Sequence, residues 1–297
     1  MAPVTAYFVP PTPLLIMRIL TLFVLAASVA LGSCGGGFSL GGAATDTTAL
    51  STSFFSACTS KGNETDAAAS FGKYTVTTNA WNPAAAESFS TCIKARQDNK
   101  TGLIGADLTW NVQGSINQVL AFPNFAYGWR VGTNQGSTTQ KLPVTLDKLE
   151  DIHASGKVET VCAPGVECVM NTAFDLLFSN TAKPDTWPPT GELMVWVQAT
   201  CKHCNAGKLV EVVSIDGVKF EVYKGQVTPP TGTASWTYVA YVAESTVTQF
   251  NFNMKNFVAD SLKRGYLKPS DYLAVVELGT EITSGKGSTK LSGYSIR

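Results

Sequence analysis

The chain has 297 residues, enough for one large domain with appendages. Its 22 Lys+Arg balance its 22 Asp+Glu for a formal net charge of +0, and only 15% of residues are charged. Nothing in that balance points to nucleic acid or to an anionic membrane surface. Abundant Gly, Thr, Val and aromatic residues, with almost no long helical periodicity, favour strands and turns over helices.

At the N-terminus an apolar stretch from Ile19 to Leu31, preceded by Arg18, has the length of a signal-peptide core and is short for a membrane span. It ends Leu31-Gly32-Ser33-Cys34 and runs into three glycines, a pattern that resembles a bacterial lipobox. Residues 1–34 are therefore expected to be an export signal, with Cys34 as a candidate lipid anchor to a membrane. Ordinary cleavage near Gly32-Ser33 is the alternative. Met17 is an alternative start, because residues 1–16 carry no charge. Residues 35–53 are mostly Gly, Ala, Ser and Thr and read as a flexible tether. Residues 54–297 read as the folded domain, and a monomer is the default expectation.

Lys73–Thr78 has strand propensity and closes on Asn79-Ala80-Trp81-Asn82-Pro83, a turn with an indole at its lip. Short strands are then expected near Leu108–Val112, Gln118–Phe122, Ala173–Phe178, Leu193–Ala199, Leu209–Ile215, Val218–Tyr223, Ser235–Val242 and Tyr272–Leu278. Turn signals separate them at Pro123-Asn124, Asp216-Gly217, Pro229-Pro230 and Gly285-Lys286-Gly287, of which Asp216-Gly217 is a strong hairpin signal. This is the pattern of an all-β sandwich or barrel. One helix is expected at about Asn253 to Arg264, with Met254, Phe257, Val258 and Leu262 as its apolar stripe and Gly265 as its stop.

The chain has seven cysteines. Setting Cys34 aside, the rest group as Cys58 with Cys92, Cys162 with Cys168, and Cys201 with Cys204, disulfide candidates in an exported protein. A zinc site from the last four, or a redox-active Cys201-x-x-Cys204, is the rival reading.

Three acids sit inside apolar β segments: Glu192, Asp175 and Glu281. Along a strand through Glu192, the residues Leu193, Val195, Val197 and Ala199 share one apolar face. Glu192, Met194, Trp196 and Gln198 share the other, a face suited to line a cleft. An acid in such a setting needs partners or a task, although an edge-strand Glu in water is the plainer reading. Two carboxyl groups on opposed strands are what glycosidic-bond cleavage requires. Trp81, Trp110, Trp129, Trp196 and Trp236 are candidate sugar platforms, although core packing is the commoner role of any one Trp. His153 and His203 lie in loop-like sequence without acid or serine partners at recognisable spacing, and no nucleotide-binding or serine-hydrolase motif occurs.

Several motifs together resemble glycoside hydrolase family 12, the small jelly-roll endoglucanases and xyloglucanases. They are Tyr74-Thr75-Val76 followed by Asn79-x-Trp81, Phe122-Pro123-Asn124, Asp175-Leu176-Leu177-Phe178, Glu192-Leu193-Met194-Val195-Trp196, Phe220 to Gly225, and Gly279-Thr280-Glu281. The resemblance runs from about residue 54 to 297. It implies a jelly-roll sandwich of two antiparallel sheets with one packed helix, and a retaining endo-β-1,4-glucanase acting on cellulose-like β-glucan, mixed-linkage glucan or xyloglucan. Glu192 would be the nucleophile and Glu281 the acid/base. Asp175 would support Glu192 through a hydrogen bond, and Asn79, Trp81, Met194 and Trp196 would contact the sugar. The carboxyls would stand about 5–5.5 Å apart. Cys58 and Cys92 bracket the first strand as a disulfide does in many members. Two carboxylates and water suffice, so no metal or organic cofactor is expected. Glu277 stands where members often have Gln; it is the runner-up acid, and its charge would raise the proton affinity of Glu281. The Cys201–Cys204 segment departs from the family's Gly-rich loop. A non-catalytic, surface-anchored glycan-binding jelly roll is the alternative. A xylanase of the related jelly-roll family is disfavoured by Met-Val-Trp after Glu192.

Overall fold

The computed structural model describes residues 52–63, 66–114, 118–228 and 234–297. The expected export signal, Cys34, most of the tether and the Pro229-Pro230 turn lie outside the described residues. In chain order the elements are β1 (Thr52–Ser60), β2 (Ala68–Phe71), β3 (Tyr74–Thr77), β4 (Ser88–Asp98), β5 (Ile104–Gln113), β6 (Asn124–Gly128), β7 (Val144–Thr145) and β8 (His153–Cys162). They continue with β9 (Val169–Ser179), β10 (Gly191–Ala199), β11 (Gly207–Ile215), β12 (Val218–Val227), β13 (Trp236–Ala243), β14 (Gln249–Asn253), α1 (Met254–Lys263) and β15 (Tyr272–Ile296). β1 takes in Thr52 and Ser53, the last two residues of the expected tether.

The strands form two packed sheets. One runs β1-β4-β5-β15-β8-β14 and the other β2-β3-β6-β15-β9-β10-β13-β12-β11. β15 belongs to both: Tyr272 to Ser284 pairs with β6, β7 and β9, and Gly285 to Ile296 pairs with β5 and β8. The Gly285-Lys286-Gly287 signal is thus the crossing point within one strand, not a turn. Gly285 has φ +89, and a Cβ there would lie 2.3 Å from Cys168 Cβ, so only glycine fits the bend. Pairing is antiparallel except for β10 with β13, where β13 returns from the β11–β12 hairpin to slot in beside β10. The hairpin turn is Asp216-Gly217, with φ 48 and 80. Gln118–Phe122 does not form the expected strand; Ala121 makes only isolated bridges to Ala80 and Ile282.

Between the sheets lies the main core. Leu193, Val195 and Val197 are buried there beside Phe174, Leu176 and Phe178 of β9, as the alternation on β10 predicts. Gln198 departs from that alternation. A register shift between Trp196 and Gln198 takes it off the cleft face. It is buried, with Nε2 donating to Val158 O at 3.0 Å and Oε1 accepting from Thr160 N at 2.9 Å, both on β8 of the opposite sheet. Beside it, Thr160, Thr172, Thr280 and Thr289 close a ring of hydroxyl hydrogen bonds of 2.8–3.0 Å. Each hydroxyl can donate once and accept once, so the ring satisfies its own polar groups. Thr280 and Thr172 adjoin Glu281 and Asn171, which point the other way, into the cleft.

α1 sits where the stripe predicts. Met254, Phe257 and Val258 are buried against Phe220, Tyr241 and Phe252, and the Asn253 side chain accepts from Lys255 N as N-cap. Gly265, φ +71, ends it. Disulfides join Cys58 to Cys92, Cys162 to Cys168 and Cys201 to Cys204. Those thiolates are therefore not assembled as a zinc set. Three disulfides fit an oxidising compartment.

Candidate active site

The exposed face of the second sheet forms a cavity of about 360 Å3. β9 runs down its middle, between β15 and β10. Residues in register share a face. Asp175 pairs with both Glu277 of β15 and Met194 of β10, and Asn171 pairs with Glu281. Glu192 pairs with Leu177 of β9 and Tyr238 of β13. Asp175, Glu192, Glu277 and Glu281 all line the one cavity, as do Asn79, Trp81, Met194 and Trp196. Every predicted site residue therefore reaches the same cleft.

Each acid has its own surroundings. Trp236 Nε1 donates to Glu192 Oε2 at 2.7 Å. Burial pushes the Glu192 carboxyl up to about 8; the Trp236 bond acts against this, and the charges of Glu281 and Glu277 add to it. Glu281 accepts from Asn171 Nδ2 at 2.5 Å, and burial raises it to about 7 against that bond. Asp175 is raised well above the usual carboxylate range, by burial first and then by the charge of Glu192. Its Oδ1 has no hydrogen-bond partner. The bond expected to tie Asp175 to Glu192 is taken up on the Glu192 side by Trp236, and the link between the two acids is electrostatic. Glu277 is also raised by burial, opposed by the Arg130 guanidinium, whose Nε donates to Glu277 Oε1 at 3.2 Å. The charge of Glu277 bears on Asp175 and Glu192.

The aromatic expectations divide. Trp81, Trp196 and Trp236 line the cavity, joined by Trp187, which packs edge-on against Trp236 at 5.5 Å. Met194 and Trp196 are nearly closed off, with Trp196 Nε1 donating to Met194 Sδ at 3.3 Å, so they make a packed floor. Trp110 is core, and Trp129 stands outside the lining with Nε1 donating to Thr133 O. His203 is exposed and bonded to Tyr223 OH, which donates to Glu221. Cys201 and Cys204 border the cavity. Sequence reasoning missed Asn171, Arg130 and Trp187. Asn171 was within reach of it, because Asn171, Ala173 and Asp175 alternate onto one face of β9. Arg130 carries no such signal, as it follows the end of β6.

Raised carboxyls make stability depend on pH. The ordinary Glu value is 4.5, and Glu281 and Glu192 are held near 7 and 8. Between those limits the folded state binds more protons than the unfolded, so stability falls as pH rises. The melting temperature is expected to drop from pH 5 to pH 8, and Glu192→Gln to shrink that drop by removing a penalty of about 4 kcal/mol at most at pH 8. Calorimetric scans of wild type and variant across this range check it; equal pH slopes would refute the origin in Glu192.

A concave sheet holding buried carboxyls within a tryptophan-walled cleft defines a carbohydrate-cleaving class of jelly roll. Comparison with known proteins agrees. Residues 72–297 match the model of glycosyl hydrolase family 12, and the chain belongs to that family. Endoglucanase S of Pectobacterium parmentieri is 27% identical over 63% of this chain and 69% of its own. Xyloglucan-specific endo-beta-1,4-glucanase A of Emericella nidulans is 27% identical over 77% of this chain and 87% of its own. A Phytophthora nicotianae relative called an inactive glycoside hydrolase is 27% identical over 75% and 86%. A family 12 xyloglucanase from Bacillus licheniformis superposes with a TM-score of 0.70 at 24% identity, over 81% of this chain and 99% of that one, and shares the fold.

Proposed function

We propose that this chain is an exported, retaining endo-β-1,4-glucanase whose substrate is a β-glucan such as cellulose-like glucan, mixed-linkage glucan or xyloglucan. The observation that carries the reading is the convergence of Glu192, Asp175 and Glu281 on one tryptophan-lined cavity. Glu192 attacks the anomeric carbon as Glu281 gives its proton to the departing oxygen, breaking the C–O bond and leaving a glycosyl ester on Glu192. Glu281 then takes a proton from water, whose oxygen attacks the same carbon and releases Glu192. Burial disfavours charge on Asp175, which limits like-charge repulsion of the Glu192 carboxylate. Trp236 Nε1 favours that carboxylate. The roles of Glu192 and Glu281 follow from the family motifs that surround them.

Export is supported by the apolar segment 19–31 and by the three disulfides, and anchoring through lipid at Cys34 is part of the proposal. The test is reducing-sugar release by the purified chain from carboxymethylcellulose, mixed-linkage β-glucan, xyloglucan and xylan. Cleavage of at least one β-1,4-glucan is expected. A folded protein that binds insoluble glucan and cleaves none of the four would refute the hydrolase and leave a non-catalytic binding module, the condition that the name of the Phytophthora relative reports for that protein.

A further inference from the structure

We propose that Arg130 is the positioning residue of a sugar subsite at the Asn79–Trp81 edge of the cleft, with Glu277 as its counter-ion rather than a second catalytic acid. The inference rests on the glucanase reading above and adds to it how one wall of the cleft is built.

Arg130 lies just beyond β6, and its side chain is 14% exposed, against 5% for Glu277. Its Nε donates to Glu277 Oε1 at 3.2 Å and its Nη2 to Asn79 Oδ1 at 3.0 Å. Trp81 Nε1 donates to the same Asn79 oxygen at 3.0 Å. The other oxygen of Glu277 accepts from Asn124 Nδ2 at 3.3 Å, on a residue that is fully buried. A chain of contacts therefore runs from the sheet floor through Asn124, Glu277, Arg130 and Asn79 to the indole of Trp81.

This chain fixes which way the Asn79 amide points. A guanidinium and an indole N–H are donors only. The Asn79 atom they share must be the oxygen, so chemistry assigns the amide orientation. Two donors fill that oxygen, which leaves Nδ2 as the group Asn79 can offer a ligand. The Asn79 backbone is held in the left-handed region at φ 41, with its N–H donating to Thr77 Oγ1 at 3.0 Å, so the side chain is anchored at both ends. Trp81 is pinned in turn by its own N–H, which sets the plane on which a sugar can stack. Arg130 lines the cavity and has no acceptor atom. Asp66 also lines the cavity, with its carboxylate taken up by the Thr77 and Thr78 hydroxyls, and the Asn79 and Arg130 N–H groups remain to meet an oxygen acceptor on a sugar lying on Trp81. A half-buried guanidinium needs a partner to be held there, and Glu277 supplies it. With both oxygens of Glu277 engaged by donors, that carboxylate is spent on structure.

Four variants test this: Arg130→Gln, Arg130→Lys, Asn79→Asp and Glu277→Gln. The readouts are kcat, KM and pH profile on a soluble β-1,4-glucan or xyloglucan oligosaccharide, and Kd by calorimetry in the Glu192→Gln background. Near-UV circular dichroism reports folding. Arg130→Gln is expected to raise KM and Kd about tenfold, the worth of one charge-assisted bond, with kcat within about threefold and the pH profile unmoved. Arg130→Lys keeps the charge without the fork and should fall between. Asn79→Asp keeps size and acceptor but loses the amide donor, and should weaken binding about as much as Arg130→Gln. Glu277→Gln should retain kcat within about threefold and keep both limbs of the pH profile, with the Glu192 limb moved to lower pH by loss of a neighbouring charge, unlike loss of an acid, which removes a limb. Unchanged Kd in folded Arg130→Gln, wild-type binding by Asn79→Asp, or collapse of turnover in Glu277→Gln would each overturn the proposal. If Arg130→Gln fails to fold, the Asn79 and Glu277 variants decide. A wild type that neither binds nor cleaves a β-glucan removes the glucanase reading itself, whereas an active wild type with indifferent variants removes only this inference.

Discussion

Glu192→Ala is expected to lose turnover by about 10⁴-fold or more while keeping its fold, the largest effect of any single change in this chain. No other carboxylate can take its place. Asp175 is on the neighbouring strand with its proton held by burial, and Glu277 is engaged by Arg130 and Asn124. The variant also decides the roles. With the nucleophile gone, azide can enter the vacated space and attack the anomeric carbon of an activated aryl β-cellobioside from the side Glu192 occupied. The product is then the α-glycosyl azide, of inverted configuration. Product configuration by proton NMR is the measurement. A β-azide from Glu192→Ala would show that a glycosyl-enzyme still forms, and it would transfer the acid/base role to Glu192.

Glu281→Ala carries the second largest expected effect, a loss of about 10²–10⁴ on polysaccharide. The loss should depend on the leaving group. A dinitrophenolate departs without a proton, so an aryl glycoside still glycosylates Glu192, and hydrolysis of that ester then becomes slow for want of a base. Mass spectrometry should find the glycosyl-enzyme accumulating, and azide should release it as the β-azide. The pH profile gives an independent check. Glu281 must be protonated to act as acid and burial raises its carboxyl, so wild-type kcat/KM carries a falling limb on the alkaline side, titrating as a property of the Glu192–Glu281 pair. That falling limb should vanish in Glu281→Ala. If the limb persists, or if polysaccharide and aryl substrates lose equally, Glu281 is not the proton donor.

Strand alternation made much of the site legible. Glu192-Leu193-Met194-Val195-Trp196 shows its two faces by counting, and β10 buries Leu193 and Val195 as that count requires. The same reasoning carried to Gln198 fails, because one register shift moves it to the opposite side of the sheet. Alternation is a local property, and a bulge is a response to the partner strand. Glycine signals had the same limit. Asp216-Gly217 is a turn in both readings, but Gly285-Lys286-Gly287 bends one long strand from sheet to sheet, since its neighbours on both sides supply strand partners. Cysteine spacing gave the three disulfide pairs, each close in sequence or across an adjacent strand pair.

The order of motifs along the chain by itself determined the family, strand and turn spacing the all-β class, and an apolar stripe the helix after β14; the alternation of apolar residues pointed to Glu192, Asp175 and Glu281. Those properties are written in residue types at fixed short spacings. Only the tertiary structure decided who partners whom. Trp236 bonds Glu192, Asn171 bonds Glu281, and Arg130 pairs with Glu277. Each of these contacts joins residues on different segments. The lateral order of strands in the sheet sets such contacts, and a strand's sequence specifies the faces of its side chains but not the neighbours they meet.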